Sequence, residues 1–263
     1  MNGFDAYRAG GHHAVHGWMQ AGLLDFLTAI DQHQKEMGVD GAVAEIGVHH
    51  GRLFIALHLL LSDGERSAAF DIFDSQELNI DQSGFGDRGV FEQNLRLHAP
   101  RTADRALIVP GDSMELTGAG VLERLGTRVR LFSVDGGHWA DIVCHDLHTA
   151  ADSLSPGGVI IADDVFNQSW PDVCVGFLRF LSERPEFAPF AVGYNKVLVA
   201  RAEDAPAFLE LIAARSAELG DRSKRQELDG HPVHVIGMPK PRPVLGNAPK
   251  PAPRRRWLGL KAR

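Results

Sequence analysis

The chain has 263 residues, of which 44% are hydrophobic and 23% are charged, a composition typical of a globular protein with one substantial core. The formal charge of −7 at pH 7 argues against nucleic acid as the main partner, because phosphate binding needs a basic surface. No apolar stretch approaches the roughly 20 residues that a membrane-spanning helix requires.

The ends of the chain and its cysteines indicate the compartment. The first residues, MNGFDAYRAGGHH, lack the basic and apolar regions of a signal peptide. The two cysteines, Cys144 and Cys174, are too few for a disulfide framework, so we expect a cytoplasmic protein. Residues 237–263 are rich in Pro and Arg, and we expect a disordered tail there; a membrane or partner contact through residues 254–258 is the alternative.

The predicted elements alternate along the chain. An amphipathic pattern predicts a helix over 14–36, within an N-terminal segment (1–40) that we expect to pack on the core. Five apolar runs predict strands at Ala42–Val48, Ala68–Phe73, Ala106–Val109, Arg130–Val134 and Val159–Ala162. Helices are predicted between them at 51–61, 89–98, 115–125 and 139–154.

Continuously apolar strands separated by helices indicate a parallel sheet that is covered on both faces. After a further predicted helix near 172–183, the runs Phe187–Val192 and Lys196–Ala200 flank Gly-Tyr-Asn and predict a hairpin. We therefore expect residues 41–236 to form one α/β domain. Its fold would be Rossmann-like and doubly wound, with a mostly parallel seven-stranded sheet and an antiparallel C-terminal hairpin strand.

A glycine-containing turn, Glu45-Ile46-Gly47-Val48-His49-His50-Gly51, follows the first predicted strand. The dinucleotide fingerprint G-x-G-x-x-G has a second glycine where this chain has His49, so the turn suits a diphosphate poorly. S-adenosylmethionine carries no phosphate. Glu45 could accept hydrogen bonds from its amino group, while Gly47 and Gly51 leave room for its methionine and ribose parts. The alternative is a turn that merely connects strand to helix.

Polar residues at the next strand ends suggest a nucleoside ligand. Asp71 is placed to bind both ribose hydroxyls, as an acidic residue does in NAD-binding domains, and Asp74 is the competing candidate. Asp112 and Ser113 follow the third strand and could contact the adenine edge.

Three carboxylates follow the fourth and fifth strands. Adjacent parallel strands would bring Asp135, Asp163 and Asp164 together at the carboxyl edge of the sheet, where open α/β folds bind ligands. Clustered carboxylates repel one another unless they are protonated or neutralised, and Mg²⁺ is a natural counter-ion. The alternative is that they serve as helix caps and loop residues.

The stretch from Ala42 to Asn167 resembles the core of class I S-adenosylmethionine-dependent methyltransferases. The resemblance is closest to the macrocin-type, metal-dependent sugar O-methyltransferases, through VDGGHWADIVCHDLHTAADSLSPGGVIIADD at 134–164, and more distant to catechol O-methyltransferase. Catechol O-methyltransferase has Asn at the position of Asp164, so this chain matches the sugar-modifying branch there. The His49-His50 pair departs from the family pattern.

The resemblance implies a role for each matched residue. The metal ligands are Asp135, Asp163 and Asp164, and the general base is His138, three residues after the first of them. The cofactor residues are Glu45, Gly47, Gly51 and Asp71. For His138, a structural position at the start of a helix is the alternative.

The implied function is Mg²⁺-assisted methylation of a hydroxyl on a sugar, a glycan precursor or a small polar metabolite. The alternatives are an NAD-dependent oxidoreductase and a non-catalytic nucleoside-binding protein. Segments 1–20, 75–88 and 165–171 are expected to shape the acceptor pocket, and Trp170 to line its mouth. We also expect a homo-oligomer. His12, His13 and His16 could bind a metal, since the outer two have helical i, i+4 spacing, or belong to a mobile N-terminus.

Overall fold

A computed structural model describes residues 3–238, so the predicted tail from residue 239 onward lies outside the described residues. The helices within this range are α1 (Gly3–Ala9), α2 (Leu23–Glu36), α3 (Arg52–Leu59), α4 (Arg88–His98), α5 (Gly118–Leu125), α6 (Ala140–Ser153), α7 (Pro171–Glu183) and α8 (Ala205–Glu218). The strands are β1 (Ala42–Ile46), β2 (Ser67–Asp71), β3 (Ala106–Pro110), β4 (Val129–Val134), β5 (Leu154–Asp163), β6 (Phe187–Gly193), β7 (Lys196–Arg201), β8 (Lys224–Leu228) and β9 (His231–Val235).

All strands of the described range form one sheet in the order β3-β2-β1-β4-β5-β7-β6-β9-β8. The first five of these positions are parallel, and β7 is antiparallel to both β5 and β6. The predicted fold class is therefore confirmed. The sheet has nine strands rather than seven because the hairpin β8–β9 extends it beyond β6.

The sheet separates two hydrophobic cores, which explains why its central strands are apolar throughout. On β1, Val43 belongs to the core that contains residues of α2, α3, α4 and α8, whereas Ala44 and Ile46 belong to the core that contains residues of α5, α6 and α7. All five β1 residues are buried. Successive side chains of a strand point to opposite faces, so a strand covered on both sides needs apolar residues at nearly every position.

The predicted helix over 14–36 is wrong in its first part. A short 3-10 helix spans Gly11–Ala14, and the regular helix begins only at Leu23. Gly17 lies between them with φ of 145°, a backbone conformation outside the helical region, and its carbonyl accepts a hydrogen bond from Arg52 at 2.6 Å. The apolar pattern does mark buried residues, since Val15 is buried, but these residues belong to an irregular segment and not to the helix.

The order of the strands determines which edge of the sheet can bind a ligand. The chain runs outward from β1 through β2 to β3 and then returns to β4 on the other side of β1. At such a switch point, the loops that leave the carboxyl ends of neighbouring strands diverge and open a crevice. Within residues 3–238 no helix is both long and apolar enough to cross a membrane.

Candidate active site

A cavity of about 880 Å³ opens at the carboxyl ends of β1, β2, β4 and β5. Its inner wall consists of strand-end residues, and its outer wall comes from three segments, 17–20, 76–84 and 167–170. Binding sites for small ligands span roughly 300–1,000 Å³, so the cavity is large enough for a nucleoside cofactor with a small second substrate. All three outer segments overlap those that the sequence predicted for the acceptor pocket.

The glycine loop after β1 fits tightly against its neighbours. Gly47 has φ of 81°, and a Cβ there would lie 1.7 Å from the carbonyl oxygen of Asp135. Gly51 has φ of 91°, and a Cβ there would lie 2.7 Å from the ring of Phe91. Both positions therefore require glycine. Of the two, Gly47 lines the cavity, while Gly51 is the N-cap of α3 and does not line it.

Glu45 lies behind the cavity wall. Its side chain is 2% exposed, and Ser133 Oγ donates a hydrogen bond to Oε1 at 3.0 Å. The other oxygen, Oε2, is buried without a hydrogen-bond partner. Burial, reinforced by the nearby charge of Asp135, raises the pKa of Glu45 well above its usual value.

Asp71 and Asp74 are distinguished by position. Asp71 lines the cavity and accepts hydrogen bonds from the backbone N–H groups of His49, at 2.7 Å, and Phe73, at 2.6 Å. Burial raises the pKa of Asp71, against the opposing effect of these donors. Asp74 is exposed and does not line the cavity. The geometry therefore favours Asp71 as the residue that faces a ribose.

Asp112 and Ser113 also line the cavity, at the end of β3. The Asp112 carboxylate caps a short 3-10 helix by accepting a hydrogen bond from the N–H of Met114 at 2.9 Å. The Ser113 hydroxyl donates to Asp146 at 3.0 Å. Both side chains thus hold the loop in shape at the side of the cavity where adenine contacts were expected.

His138 is held between two carboxylates. Nδ1 lies 2.7 Å from Oδ2 of Asp81, which also accepts the backbone N–H of His138 at 2.9 Å, and Nε2 lies 3.1 Å from Oδ2 of Asp164. Trp170 stacks on the imidazole with a centroid distance of 4.2 Å and an interplanar angle of 14°. These contacts fix the ring at the cavity wall.

The electrostatics around His138 favour its charged form. Burial lowers the pKa of the imidazole, but the hydrogen bonds and charges of Asp164 and Asp81 outweigh burial and raise the pKa above its usual value. Burial raises the pKa values of Asp81 and Asp164, but their hydrogen bonds, including those to His138, lower both overall. The arrangement therefore stabilises an imidazolium between two carboxylates, which is the state a general base reaches after it takes a proton.

The three predicted metal carboxylates meet at the same edge but have different partners. Asp163 is bound by the ammonium group of Lys196, which is 3% exposed, and also accepts from Asn195 at 3.1 Å. Lys196 lies 3.6 Å from Asp135 as well. Asp163 is thus paired with Lys196, the first residue of β7.

The donor chemistry of the remaining carboxylates fits a hard cation. Oxygen atoms of Asp135 and Asp164 and a ring nitrogen of His138 lie within 4.8 Å of one another. Burial and the charge of Asp164 raise the pKa of Asp135, and nearby Lys196 opposes this shift. Mg²⁺ is commonly held by one or two carboxylates together with water and substrate oxygens, a requirement that this pair meets.

Asp81 and Lys196 are two residues of this site that the sequence did not reveal. Asp81 lies in the polar loop after β2, which was identified only as a cover for the pocket. Lys196 begins the strand that was recognised as part of a hairpin. Its burial beside carboxylates follows from the antiparallel pairing of Asp163 with Lys196 across β5 and β7.

Comparisons with known proteins agree with this fold. Residues 44–165 match a family model described as a methyltransferase domain. No curated protein sequence matches the chain. Among solved structures, NovP, described as an O-methyltransferase, has a TM-score of 0.56 at 14% identity and aligns over 68% of this chain and 79% of its own.

Two further structures have similar folds. CalS11, described as a TDP-rhamnose 3'-O-methyltransferase of calicheamicin biosynthesis, has a TM-score of 0.52 at 18% identity, over 69% of this chain and 80% of its own. An O-methyltransferase from Bacillus cereus in complex with SAH has a TM-score of 0.51 at 16% identity, over 76% and 90%. Residues 44–165 therefore match a methyltransferase domain, and the chain shares the fold of these O-methyltransferase structures.

Proposed function

We propose that the protein is an O-methyltransferase that transfers the methyl group of S-adenosylmethionine to a hydroxyl of a sugar, a glycan precursor or a small polar metabolite. The observation that carries this proposal is the position of His138, at the cavity wall between Asp81 and Asp164. A hydroxyl is a poor nucleophile near neutral pH, so its methylation needs a group that removes the proton.

His138 is suited to that task. Both ring nitrogens face carboxylates, so His138 acts as a base in its neutral form. In that form the Asp81 carboxylate, which can only accept a hydrogen bond, keeps the proton on Nδ1, and Nε2 turns from Asp164 to the hydroxyl as the basic nitrogen. Once Nε2 takes the proton of the hydroxyl, Asp81 and Asp164 stabilise the resulting imidazolium. The sulfonium of the cofactor supplies an already activated methyl group. The protein therefore mainly has to align the acceptor and remove one proton.

We propose further that Mg²⁺ assists, with Asp135 and Asp164 as its ligands from the chain. A bound Mg²⁺ would lower the pKa of a coordinated hydroxyl. The resemblance also implies Asp163 as a ligand, whereas Lys196 engages that carboxylate here. Lys196 adds a fixed positive charge beside Asp135 and Asp163, which reduces the repulsion among the three carboxylates.

The composition of the outer wall supports a hydroxyl-rich acceptor. Its loops present hydrogen-bonding side chains of both donor and acceptor type: Gln76, Asn79, Gln82, Ser83, Asn167 and Ser169. Sugars expose hydroxyls on several faces and are recognised by such side chains together with a ring-stacking aromatic group. Trp170 is the aromatic residue of the wall next to the base. The sugar-directed description of CalS11 is consistent with this class of acceptor.

The first test is isothermal titration of the protein with S-adenosylhomocysteine, in Mg²⁺ and again in EDTA, with NAD as comparator. We expect micromolar binding of S-adenosylhomocysteine and none of NAD. Failure of a folded protein to bind S-adenosylhomocysteine in either buffer would overturn the methyltransferase proposal, and NAD binding would favour an oxidoreductase.

The second test is methyl transfer to a panel of nucleoside diphosphate sugars and free glycosides. We expect turnover that EDTA suppresses and Mg²⁺ restores, and a loss of about 10²–10⁴ in rate for His138→Ala. His13→Ala, an exposed histidine outside the cavity, is the matched control. Full activity in excess EDTA would contradict the role of Mg²⁺ alone, and full activity of His138→Ala would contradict the base.

A further inference from the structure

Three histidines converge beside the cavity, and one of them, His49, lines it. We propose that His16, His49 and His50 form a binding site for a first-row transition-metal ion, with Zn²⁺ as the expected occupant. One ring nitrogen from each histidine lies within 4.8 Å of the other two. The ring centroid of His16 lies 5.2 Å from that of His49 and 5.5 Å from that of His50. The centroids of His49 and His50 are 3.9 Å apart.

Two of these rings have a nitrogen without a partner. The Nδ1 atoms of His49 and His50 are both buried, and neither has a hydrogen-bond partner. The backbone of His16 interacts favourably with the charged form of the His49 ring, and the backbone of Phe85 with that of His50. Metal-binding histidines commonly use one nitrogen for the ion and anchor the other on a backbone group, which fixes the ring. Nδ1 of His49 and of His50 is therefore available for an ion.

The backbone supports the same arrangement. His49 has φ of 51°, a left-handed conformation that is uncommon for residues other than glycine and that tends to persist where the surroundings require it. This conformation, between Gly47 and Gly51, turns the two imidazoles to the same side of the loop.

The third ligand comes from a distant part of the chain. Arg52 donates a hydrogen bond to the carbonyl of Gly17 at 2.6 Å and so holds the segment after His16 against the glycine loop. A Cβ on Gly17 would lie 3.2 Å from the Cβ of Arg52, so the two segments are in close contact. The fold therefore builds the cluster from two segments, which an accidental run of neighbouring histidines would not require.

The ligand atoms select the class of metal. Three imidazole nitrogens without a carboxylate among them suit Zn²⁺, Cu²⁺ or Ni²⁺ and do not suit Mg²⁺ or Ca²⁺, which prefer oxygen. Zn²⁺ is commonly tetrahedral, and three histidines leave its fourth position to water or to another ligand. The site therefore differs in chemistry from the Asp135–Asp164 pair, and it does not depend on the proposed methyl transfer.

The site has a consequence for the cofactor cavity. Residues 17–20 line the cavity and follow His16 directly, and His49 lines it beside Trp18, with ring centroids 5.3 Å apart. A bound ion would tie these two segments together. Because coupling between two sites is reciprocal, Zn²⁺ should then tighten the binding of a cofactor in the cavity, and the cofactor should tighten Zn²⁺.

The test is a competition titration of Zn²⁺ between the full chain and a chromophoric chelator, in excess Mg²⁺ to fill oxygen-rich sites. We expect one Zn²⁺ to bind the wild type, with affinity at least tenfold weaker in His16→Ala and in His50→Ala. His16 is exposed, so its replacement leaves the core intact, and circular dichroism verifies the fold.

Three matched variants exclude other origins of the signal. His13→Ala removes an exposed histidine near His16, Asp135→Asn weakens the carboxylate site, and His148→Ala disrupts the cluster of Cys144, His148 and Glu183. We expect each to keep the high-affinity Zn²⁺. A wild type that binds no Zn²⁺, or a folded His16→Ala that binds as tightly as the wild type, would overturn the proposal. Because the readout is Zn²⁺ binding, an absence of methyl transfer would leave this result unaffected.

Discussion

Oδ2 of Asp81 accepts two hydrogen bonds from His138, one from the backbone N–H at 2.9 Å and one from Nδ1 at 2.7 Å. Through these bonds, the loop after β2 orients the imidazole and stabilises its charged form. The contact joins two segments that are 57 residues apart in the chain. It makes Asp81 a positioning residue for the proposed base.

Replacement of Asp81 by Asn should lower kcat about 10–100-fold while the affinity for S-adenosylhomocysteine stays the same, as for other residues that orient an active group. His138 acts as a base only when neutral, so activity rises with pH through its raised pKa. The charge and hydrogen bond of Asp81 contribute to the raised pKa of His138. Asp81→Asn should therefore lower that pKa and move the acidic limb of the kcat/KM profile to lower pH. Glu77→Gln, an exposed change in the same loop, is the control, and an unchanged pH profile in Asp81→Asn would argue against the positioning role.

Replacement of Asp71 by Ala should weaken S-adenosylhomocysteine binding at least tenfold. The substitution removes the carboxylate from the cavity wall, and the N–H groups of His49 and Phe73 lose their hydrogen-bond acceptor. Isothermal titration measures the effect. Asp74→Ala is the matched control, since Asp74 is exposed nearby, and equal losses in both variants would contradict the assignment of Asp71.

Replacement of Lys196 by Met should destabilise the fold by about 3–5 kcal/mol, because it leaves a buried carboxylate without its counter-ion. Urea denaturation of the single variant and of the double variant Lys196→Met/Asp163→Asn tests this, and the double variant should recover part of the loss. Lys35→Met is the control, because Lys35 pairs with Asp31 but its side chain is 40% exposed, and such pairs contribute about 0–1 kcal/mol. Strictly additive losses in the double variant would show that the two side chains are not coupled.

Asp146 should make stability depend on pH. Burial raises its pKa from 3.8 to about 7, against the opposing hydrogen bond from Ser113, so the folded state favours the neutral carboxyl. The stability it contributes is fully present below about pH 4 and is lost as the pH rises through about 7.

Asp146→Asn cannot ionise, so it should be more stable than the wild type at pH 8, by on the order of 2–4 kcal/mol, with a difference that shrinks towards pH 4. Thermal unfolding over this pH range measures it. Asp141→Asn, on the exposed side of the same helix, should show no such trend. A constant difference between wild type and Asp146→Asn across the range would contradict the prediction.

Strand ends were the part of the site that the sequence could predict. Asp71, Asp135 and Asp164 each follow an apolar run, and parallel strands bring such ends to one edge. Asp81 could not be placed because it lies in a loop without periodicity, and its partner follows a different strand. Lys196 looked like an ordinary strand residue, because its burial depends on the antiparallel neighbour that it meets.

The errors in the fold have equally local causes. The hairpin β8–β9 was missed because β8, Lys224–Leu228, is almost entirely exposed and lacks an apolar pattern. The helix over 14–36 was overextended because apolar spacing continues across Gly17. The expectation of a homo-oligomer stays a prediction.

Because Gly47 lies against the carbonyl of Asp135, the loops around the cavity differ in how well they tolerate substitution. A methyl group at position 47 would overlap that carbonyl, so residue 47 cannot be changed without displacing the segment after β4 that carries Asp135 and, three residues later, His138. The outer loop 76–84 meets the same segment through the Asp81 carboxylate, which accepts hydrogen bonds from His138. An engineer who wishes to broaden acceptor scope should therefore randomise that outer loop, keep Asp81, and leave the glycine loop untouched.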